Sequence, residues 1–340
     1  MPDRKALKSA FLTRLGWDTA SRVLVAGDAS NRKYERLTAH GETRILMDAP
    51  PEMGEDVRPF VEITHSLQAA GLSAPTVFAQ DENAGFLLIE DFGDDIFARL
   101  IAADPAMERP LYEAAVDVLV HLHRYAAPHT LSRYDADKMT QMASLAFEWY
   151  QRGATGAVQE QARDAFADAI RAKLVNLDET PTVLVQRDYH AENLIWLPDR
   201  TGPQRVGLLD YQDAMLGHPA YDLVSILKDA RRDVSPQVQT DMVERYIDAT
   251  SIDAVSFKTA YDLLGVQRNL RILGVFARLS LAYGKPHYID LIPRVWDHVM
   301  SSLSGSELSD LTSLIQDTLP APTPDVLQTL KDKCNTIPLP

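Results

Sequence analysis

Cysteine and long apolar runs are both scarce in this sequence. The single cysteine, Cys334, has no partner for an internal disulfide, which is typical of a reducing compartment. No apolar run approaches the roughly 18 residues of a membrane-spanning helix. The opening stretch MPDRKALKSAFLTRLGW interrupts its apolar positions with charges at helical spacing. We therefore expect a soluble, cytoplasmic protein with no membrane partner.

Positive charge is in deficit as well. The 340 residues include 34 Lys and Arg against 48 Asp and Glu, a formal net charge of −14. Because nucleic-acid binding needs clustered cations to neutralise phosphates, this balance argues against a nucleic-acid partner. Hydrophobic residues make up 46% of the chain, enough for a large core. Composition leaves the oligomeric state unknown.

The sequence contains no repeat, low-complexity tract or Gly/Ser linker, but its predicted secondary structure differs between the two halves. Up to about residue 90, strand patterns dominate, and one helix, DVRPFVEITHSLQAAG, interrupts them and stops at Gly71. Beyond residue 95 the pattern is mostly helical. The predicted helices lie at about 106–124, 138–151, 156–177, 219–230, 236–249, 255–282 and 305–317. These patterns predict an α+β fold.

The turn between the first two predicted strands is one candidate site. Its residues are Gly27, Asp28, Ala29, Ser30, Arg32 and Lys33. Small residues let a ligand approach the backbone, and successive N–H groups with two cations can cradle phosphate. The loop matches neither common glycine-rich phosphate motif, so on its residues alone a plain hairpin is favoured.

A second polar cluster joins two short apolar runs in LVQRDYHAENLIWL. It contains Asp188 and, five residues later, Asn193, while RVGLLDYQD downstream ends a predicted strand on Asp210. In phosphoryl transfer, one Asp accepts the proton of the substrate hydroxyl, and an Asn and a second Asp hold Mg²⁺. Each residue alone could form an Asx-turn or a cap. The three in this order, each beside a strand, favour phosphoryl transfer.

QRDYHAENL and GLLDYQDAMLGHPAYDL are similar to the catalytic and metal-binding segments of the aminoglycoside phosphotransferase and choline kinase superfamily. The blocks GDASNRKYERL, MDAPPE, RPFVEI and QRNLRILGVFARL resemble the bacterial anomeric kinases of N-acetylmuramate and N-acetylglucosamine, which act in cell-wall recycling. The resemblance spans about residues 20–295. It implies a two-lobed protein-kinase-like fold that uses ATP and Mg²⁺ to phosphorylate a small-molecule sugar. The implied division is a nucleotide-binding lobe at 1–90, a catalytic and substrate lobe at 91–320 and a tail at 321–340.

The resemblance also implies roles for single residues. Asp188 resembles the catalytic base, and Asn193 and Asp210 resemble the Mg²⁺ ligands. Asp222 matches a family Asp that we expect to be structural, fixing the loop after Asp210. Gln186 departs from the usual His two residues before the base, a position that supports the geometry of the loop.

Nucleotide binding is implied at two places. Glu90, Asp91 and Phe92 resemble the hinge that meets adenine through backbone groups, although Glu90 and Asp91 could equally form a solvated turn. On the third strand, Met47 replaces the phosphate-pairing Lys of many relatives. Arg32 and Lys33 are then the nearest phosphate cations, unless they are solvated strand charges.

Substrate-binding candidates lie beside the motifs and on a later helix. His190 and Asp213 flank the catalytic carboxylates and could bind sugar hydroxyls or only stabilise their loops. One helix face carries Gln267, Arg271, Gly274 and Arg278. This face is either an exposed polar stripe or a functional one, and Arg278 could serve an anionic or acylamino substituent. Because glycine costs about 1 kcal/mol in a helix interior, Gly274 predicts a close approach by a helix or a substrate.

Two other function classes remain open. One is a kinase of the same fold that acts on an aminoglycoside, choline or another small molecule. A polycationic aminoglycoside would need many carboxylates, which this acidic chain could supply. The other is a non-catalytic nucleotide-binding protein, suggested by Met47 and Gln186, but it has no chemical need for Asp188, Asn193 and Asp210.

Overall fold

The structure is a computed structural model that describes residues 3–26, 31–180 and 182–339, so the predicted loop residues 27–30 lie outside the described part. The strands are β1 (Ser21–Ala26), β2 (Lys33–Ala39), β3 (Glu42–Asp48), β4 (Val77–Asp81), β5 (Phe86–Glu90), β6 (Val183–Val185), β7 (Leu194–Trp196), β8 (Val206–Leu208) and β9 (Met215–Gly217). The helices are α1 (Arg4–Arg14), α2 (Arg58–Ala69), α3 (Phe97–Ala103), α4 (Glu108–Leu122), α5 (Ala136–Leu145), α6 (Arg152–Thr155), α7 (Glu160–Leu174), α8 (Ala220–Leu227), α9 (Pro236–Thr250), α10 (Ala254–Leu281), α11 (Ile292–Ser302), α12 (Ser309–Thr318) and α13 (Pro324–Asp332). Within the described ranges, no helix is both long and apolar enough to span a membrane.

Internal contacts group the chain into two units. The first consists of Met1–Tyr125 and Ala191–Ala214, and the second consists of Ala126–His190 and Met215–Pro340. The chain therefore passes from the second unit to the first directly after His190. The functional lobe boundaries at residues 90 and 320 stay a prediction.

The first unit contains a five-stranded sheet in the order β1-β2-β3-β5-β4, with every neighbouring pair antiparallel. Its apolar residues alternate with polar ones along β2, as expected for a sheet with one buried face. Helix α1 covers that face. The buried cluster consists of Phe11, Leu12, Ala20, Leu37, Leu46, Phe86 and Leu88.

Helix α2 links this sheet to the strand-end motif around Asp210. Its apolar residues are buried at helical spacing, and the chain leaves the helix through Gly71 at a φ of 75°. The Thr64 hydroxyl lies 2.6 Å from the hydroxyl of Tyr211, whose ring stacks on Phe60 at 5.1 Å. Residue 211 is therefore fixed from two sides, which restrains the backbone next to Asp210.

The second unit is built around the 28-residue helix α10, beside the short antiparallel pair of β6 and β9. The side chain of Gln267 is fully buried there and donates to the Met139 carbonyl at 2.8 Å. The predicted tail forms α13, where Leu330 is buried, and the N–H of Asn335 donates to the Ser280 carbonyl at 3.0 Å.

Gly274 explains how closely α5 approaches α10. A Cβ at this position would lie 2.3 Å from the backbone carbon of Leu145, which is far inside van der Waals contact. The expected close approach is therefore that of a neighbouring helix. A backbone atom cannot yield as a flexible side chain could.

Replacing Gly274 with Ala should destabilise the protein by about 1–3 kcal/mol, because overpacking outweighs the gain in helix propensity. Urea unfolding measures the change. Gly305→Ala is the matched control, since a Cβ at residue 305 meets no atom within 4 Å. A Gly274→Ala protein as stable as the wild type would contradict the close packing.

Candidate active site

The loop after β6 is held by a buried carboxylate of α8. Asp222 is fully buried, and its Oδ2 and Oδ1 accept the backbone N–H groups of Gln186 at 2.6 Å and Arg187 at 2.9 Å. The Ser225 hydroxyl donates to the Arg187 carbonyl at 3.2 Å. Arg187 has a φ of 71°, which non-glycine residues adopt only when such contacts hold them. Asp222 is thus structural, but it fixes the loop before Asp188 rather than the loop after Asp210.

Asp188, the predicted base, is half-buried among cations. Burial by itself would raise the pKa of its carboxyl group. The charges of three arginines, Arg271, Arg187 and Arg268 in decreasing order, outweigh burial and lower that pKa below the ordinary value of 3.8. The carboxylate is therefore ionised at neutral pH, as a proton acceptor must be.

His190 follows Asp188 by two residues and is almost fully buried. Burial lowers its pKa to about 4, although the charge of Asp229 opposes this, so the ring is neutral at pH 7. The Nη1 of Arg231 lies 3.4 Å from His190 Nε2. Since guanidinium groups only donate, Nε2 is the acceptor, and the ring proton belongs on Nδ1.

Asn193 and Asp210, the predicted metal ligands, lie together in the first unit. Asn193 Nδ2 is 3.5 Å from Asp210 Oδ2, and the Leu209 N–H donates to the Asn193 carbonyl at 3.0 Å. Gln212 Nε2 donates to Asp210 Oδ1 at 2.8 Å. Asp210 itself has a φ of 58°, so the backbone is strained at this motif as well as at Arg187. Over the described ranges, no three His, Cys, Asp or Glu side chains form a metal-binding group.

The sheet residues proposed for phosphate contact differ in their surroundings. Arg32 Nε donates to Glu55 Oε2 at 2.6 Å. Burial lowers the pKa of Arg32, but the charges of Tyr34, Glu55 and Asp213 raise it overall. Lys33 is exposed at the start of β2, and Met47 is buried in β3.

The two carboxylates of the predicted hinge accept hydrogen bonds from other residues of the protein. Glu90 accepts hydrogen bonds from Arg200 at 2.5 Å and from the Thr76 hydroxyl at 2.9 Å. The Arg200 guanidinium lies 5.0 Å from the Phe92 ring centroid, and the same ring would clash with a side chain at residue 207.

Asp91 of this hinge forms a two-point pair with Arg36 of β2, at 2.7 Å and 2.9 Å. Both hinge carboxylates are therefore bonded within the protein, and the contact of the hinge with a nucleotide stays a prediction.

The other two predicted substrate residues, Asp213 and Arg278, belong to different units. Asp213 is exposed in the first unit, and its charge faces Arg32. Arg278 is half-buried in the last turn of α10. Both remain candidates for substrate binding.

Four charged residues near Asp188 and His190 escaped the sequence analysis as site residues. They are Asp229, Arg231, Arg268 and Arg271. The dense KDARRD and QRNLR segments were the available signal, and Arg271 was noticed only as part of a helical stripe.

Comparison with known proteins identifies the family of the chain. The sequence model of the phosphotransferase enzyme family matches residues 22–256. The chain belongs to this family. Membership confirms the predicted enzyme class and implies a nucleotide as the phosphoryl donor of this phosphotransferase.

Among its curated relatives are two N-acetylmuramate/N-acetylglucosamine kinases. The one from Caulobacter vibrioides is 38% identical over 94% of this chain and 98% of the relative. The one from Pseudomonas putida is 33% identical over 87% of this chain and 88% of the relative.

Solved structures confirm the predicted protein-kinase-like fold. The choline kinase LicA from Streptococcus pneumoniae superimposes with a TM-score of 0.64 at 14% identity, covering 87% of this chain and 98% of LicA. An aminoglycoside phosphotransferase in its ADP-bound form gives a TM-score of 0.59 at 14% identity, covering 88% of this chain and 98% of that chain.

The buried Asp222 carboxyl generates a testable pH dependence. Burial raises its pKa from 3.8 to about 7, so the folded state binds the proton more tightly than the unfolded state. Its contribution to stability is complete below about pH 4 and is lost as the pH rises through 7.

The Asp222→Asn variant has no ionisable group at this position, so its stability does not fall in this way. Between pH 5 and pH 8, the variant should therefore gain about 1–3 kcal/mol relative to the wild type. Urea unfolding at both pH values measures this, and a pH-independent difference would contradict the buried-carboxyl assignment.

Proposed function

We propose that this phosphotransferase transfers the γ-phosphoryl group of ATP, with Mg²⁺, to the anomeric hydroxyl of N-acetylmuramate and N-acetylglucosamine. The observation that carries the proposal is the near-complete coverage of relatives with these two sugars in their names, at up to 38% identity. The regiochemistry rests on the resemblance to anomeric kinases.

The surroundings of Asp188 favour an amino sugar over the cationic acceptors of the same fold. Three arginines act on this carboxylate, although the chain as a whole carries a net charge of −14. Bringing choline or a polycationic aminoglycoside to these guanidinium groups would cost Coulomb energy. Neutral N-acetylglucosamine and anionic N-acetylmuramate face no such cost.

Asp188 is the proposed base. Its carboxylate is ionised by the arginines around it, and it accepts the proton of the acceptor hydroxyl as the bond to phosphorus forms. An anomeric hydroxyl is more acidic than other sugar hydroxyls, so a carboxylate of low pKa can accept its proton late in the reaction. The bond from the γ-phosphorus to the bridging oxygen of ATP breaks, and ADP leaves.

Asn193 and Asp210 are the residues that would hold Mg²⁺. The Asn193 and Asp210 side chains approach to 3.5 Å between Nδ2 and Oδ2. The carboxamide oxygen and the carboxylate are hard donors, and Mg²⁺ usually binds through one or two protein ligands plus phosphate oxygens. When bound, Mg²⁺ supplies charge neutralisation for the phosphates. This pair, kept close at a strained backbone position, also speaks against a non-catalytic nucleotide-binding protein.

Product analysis tests the proposal. Incubation with ATP, Mg²⁺ and each sugar should give a 1-phosphate, recognised by phosphorus NMR, by lability to mild acid and by loss of reducing power. Choline and an aminoglycoside serve as alternative acceptors. A phosphorylated sugar that still reduces copper, or turnover confined to the cationic acceptors, would overturn the substrate assignment and leave the kinase assignment standing.

A further inference from the structure

The arginines around Asp188 make different contacts. Arg268 is buried, donates to the Ser225 hydroxyl at 2.7 Å and lies 3.5 Å from the Lys228 carbonyl. Arg187 lies over the Tyr134 ring at 5.2 Å. Arg231 contacts His190. Arg271 is half-buried, as Arg187 and Arg231 are, and its guanidinium group lies at the Tyr221 hydroxyl.

The position of Arg271 is set by its neighbours on α10. One turn earlier, Gln267 donates to the Tyr134 hydroxyl at 3.2 Å, and Arg268 bonds Ser225, which in turn bonds the Arg187 carbonyl. Residues three and four apart share a helix face. Arg271 therefore extends the same face beside the loop that carries Asp188.

The electrostatics agree with this placement. Burial lowers the pKa of Arg271, but the nearby Tyr221 hydroxyl and the Asp188 carboxylate raise it overall. Of the charges that act on Asp188, that of Arg271 lowers its pKa the most. A guanidinium group has five N–H donors and matches a carboxylate in a two-point geometry. It can face Asp188 and still recognise a second anion.

The two proposed sugars differ by one such anion. N-acetylmuramate is N-acetylglucosamine with a lactyl ether on C3, and its carboxylate is ionised at neutral pH. We propose that Arg271 binds the lactyl carboxylate of N-acetylmuramate and thereby determines how well this enzyme uses the acidic sugar relative to the neutral one. This inference rests on the proposed function and adds a specificity-determining residue to it.

The test compares both sugars as substrates of Arg271→Gln. Loss of a charge-assisted hydrogen-bonded pair should raise the KM for N-acetylmuramate roughly 10- to 100-fold. The kcat/KM for N-acetylglucosamine at pH 8 should fall much less. Arg271→Lys keeps the charge without the planar fork and should fall between the wild type and Arg271→Gln. Arg171→Gln, an exposed arginine of α7 paired with Asp137, is the matched control and should behave as the wild type.

A pH profile adds a readout that a merely structural role would not move. Because Arg271 lowers the pKa of Asp188, the Arg271→Gln enzyme should lose activity toward N-acetylglucosamine at a higher pH on the acid side. His190, Arg187 and Arg268 also face Asp188, and they are unchanged in this variant.

The possible failures can be told apart. An equal loss of kcat with both sugars would overturn the assignment, since it would place Arg271 at the transferred phosphoryl group or at the base alone. Selective loss of N-acetylmuramate in Arg278→Gln instead of Arg271→Gln would move the site to the last turn of α10. If the wild-type enzyme phosphorylates neither sugar, the proposed function fails and the inference falls with it.

Discussion

The two hydrogen bonds from the backbone N–H groups of Gln186 and Arg187 to the buried Asp222 carboxylate are the constraint on which the catalytic loop depends. They hold Arg187 in a left-handed conformation that its side chain disfavours, and that turn directs Asp188 into its cationic surroundings. A buried carboxylate that accepts two backbone donors compensates for part of its own desolvation.

Local charge and overall charge have opposite signs in this protein. The chain is acidic, with a formal net charge of −14, yet the base is surrounded by guanidinium groups. Overall composition therefore cannot predict which acceptor approaches Asp188. In the proposed function, the arginines ionise Asp188 and disfavour cationic acceptors, so one electrostatic arrangement would serve both the chemistry and the choice of substrate.

Much of the fold follows from local patterns. The period of α2 and its stop at Gly71 were readable because they depend on residues close in sequence. The proximity of Asn193 and Asp210 could be expected from the sequence because each lies beside a strand and belongs to a recognisable motif. Arg271 could not be assigned to the site, because its approach to Asp188 depends on how α10 packs far along the chain. The same reason hid the true partner of Asp222 and the helix that approaches Gly274.

The central claim is that Asp188 accepts the proton of the acceptor hydroxyl. Single-turnover phosphoryl transfer in Asp188→Asn, with ATP affinity measured separately on the same protein, tests it most directly. The substitution keeps the shape of the side chain and removes its basicity. We expect the transfer rate to fall by about 10² to 10⁴ with ATP affinity nearly unchanged. A single-turnover rate close to that of the wild type would contradict the account.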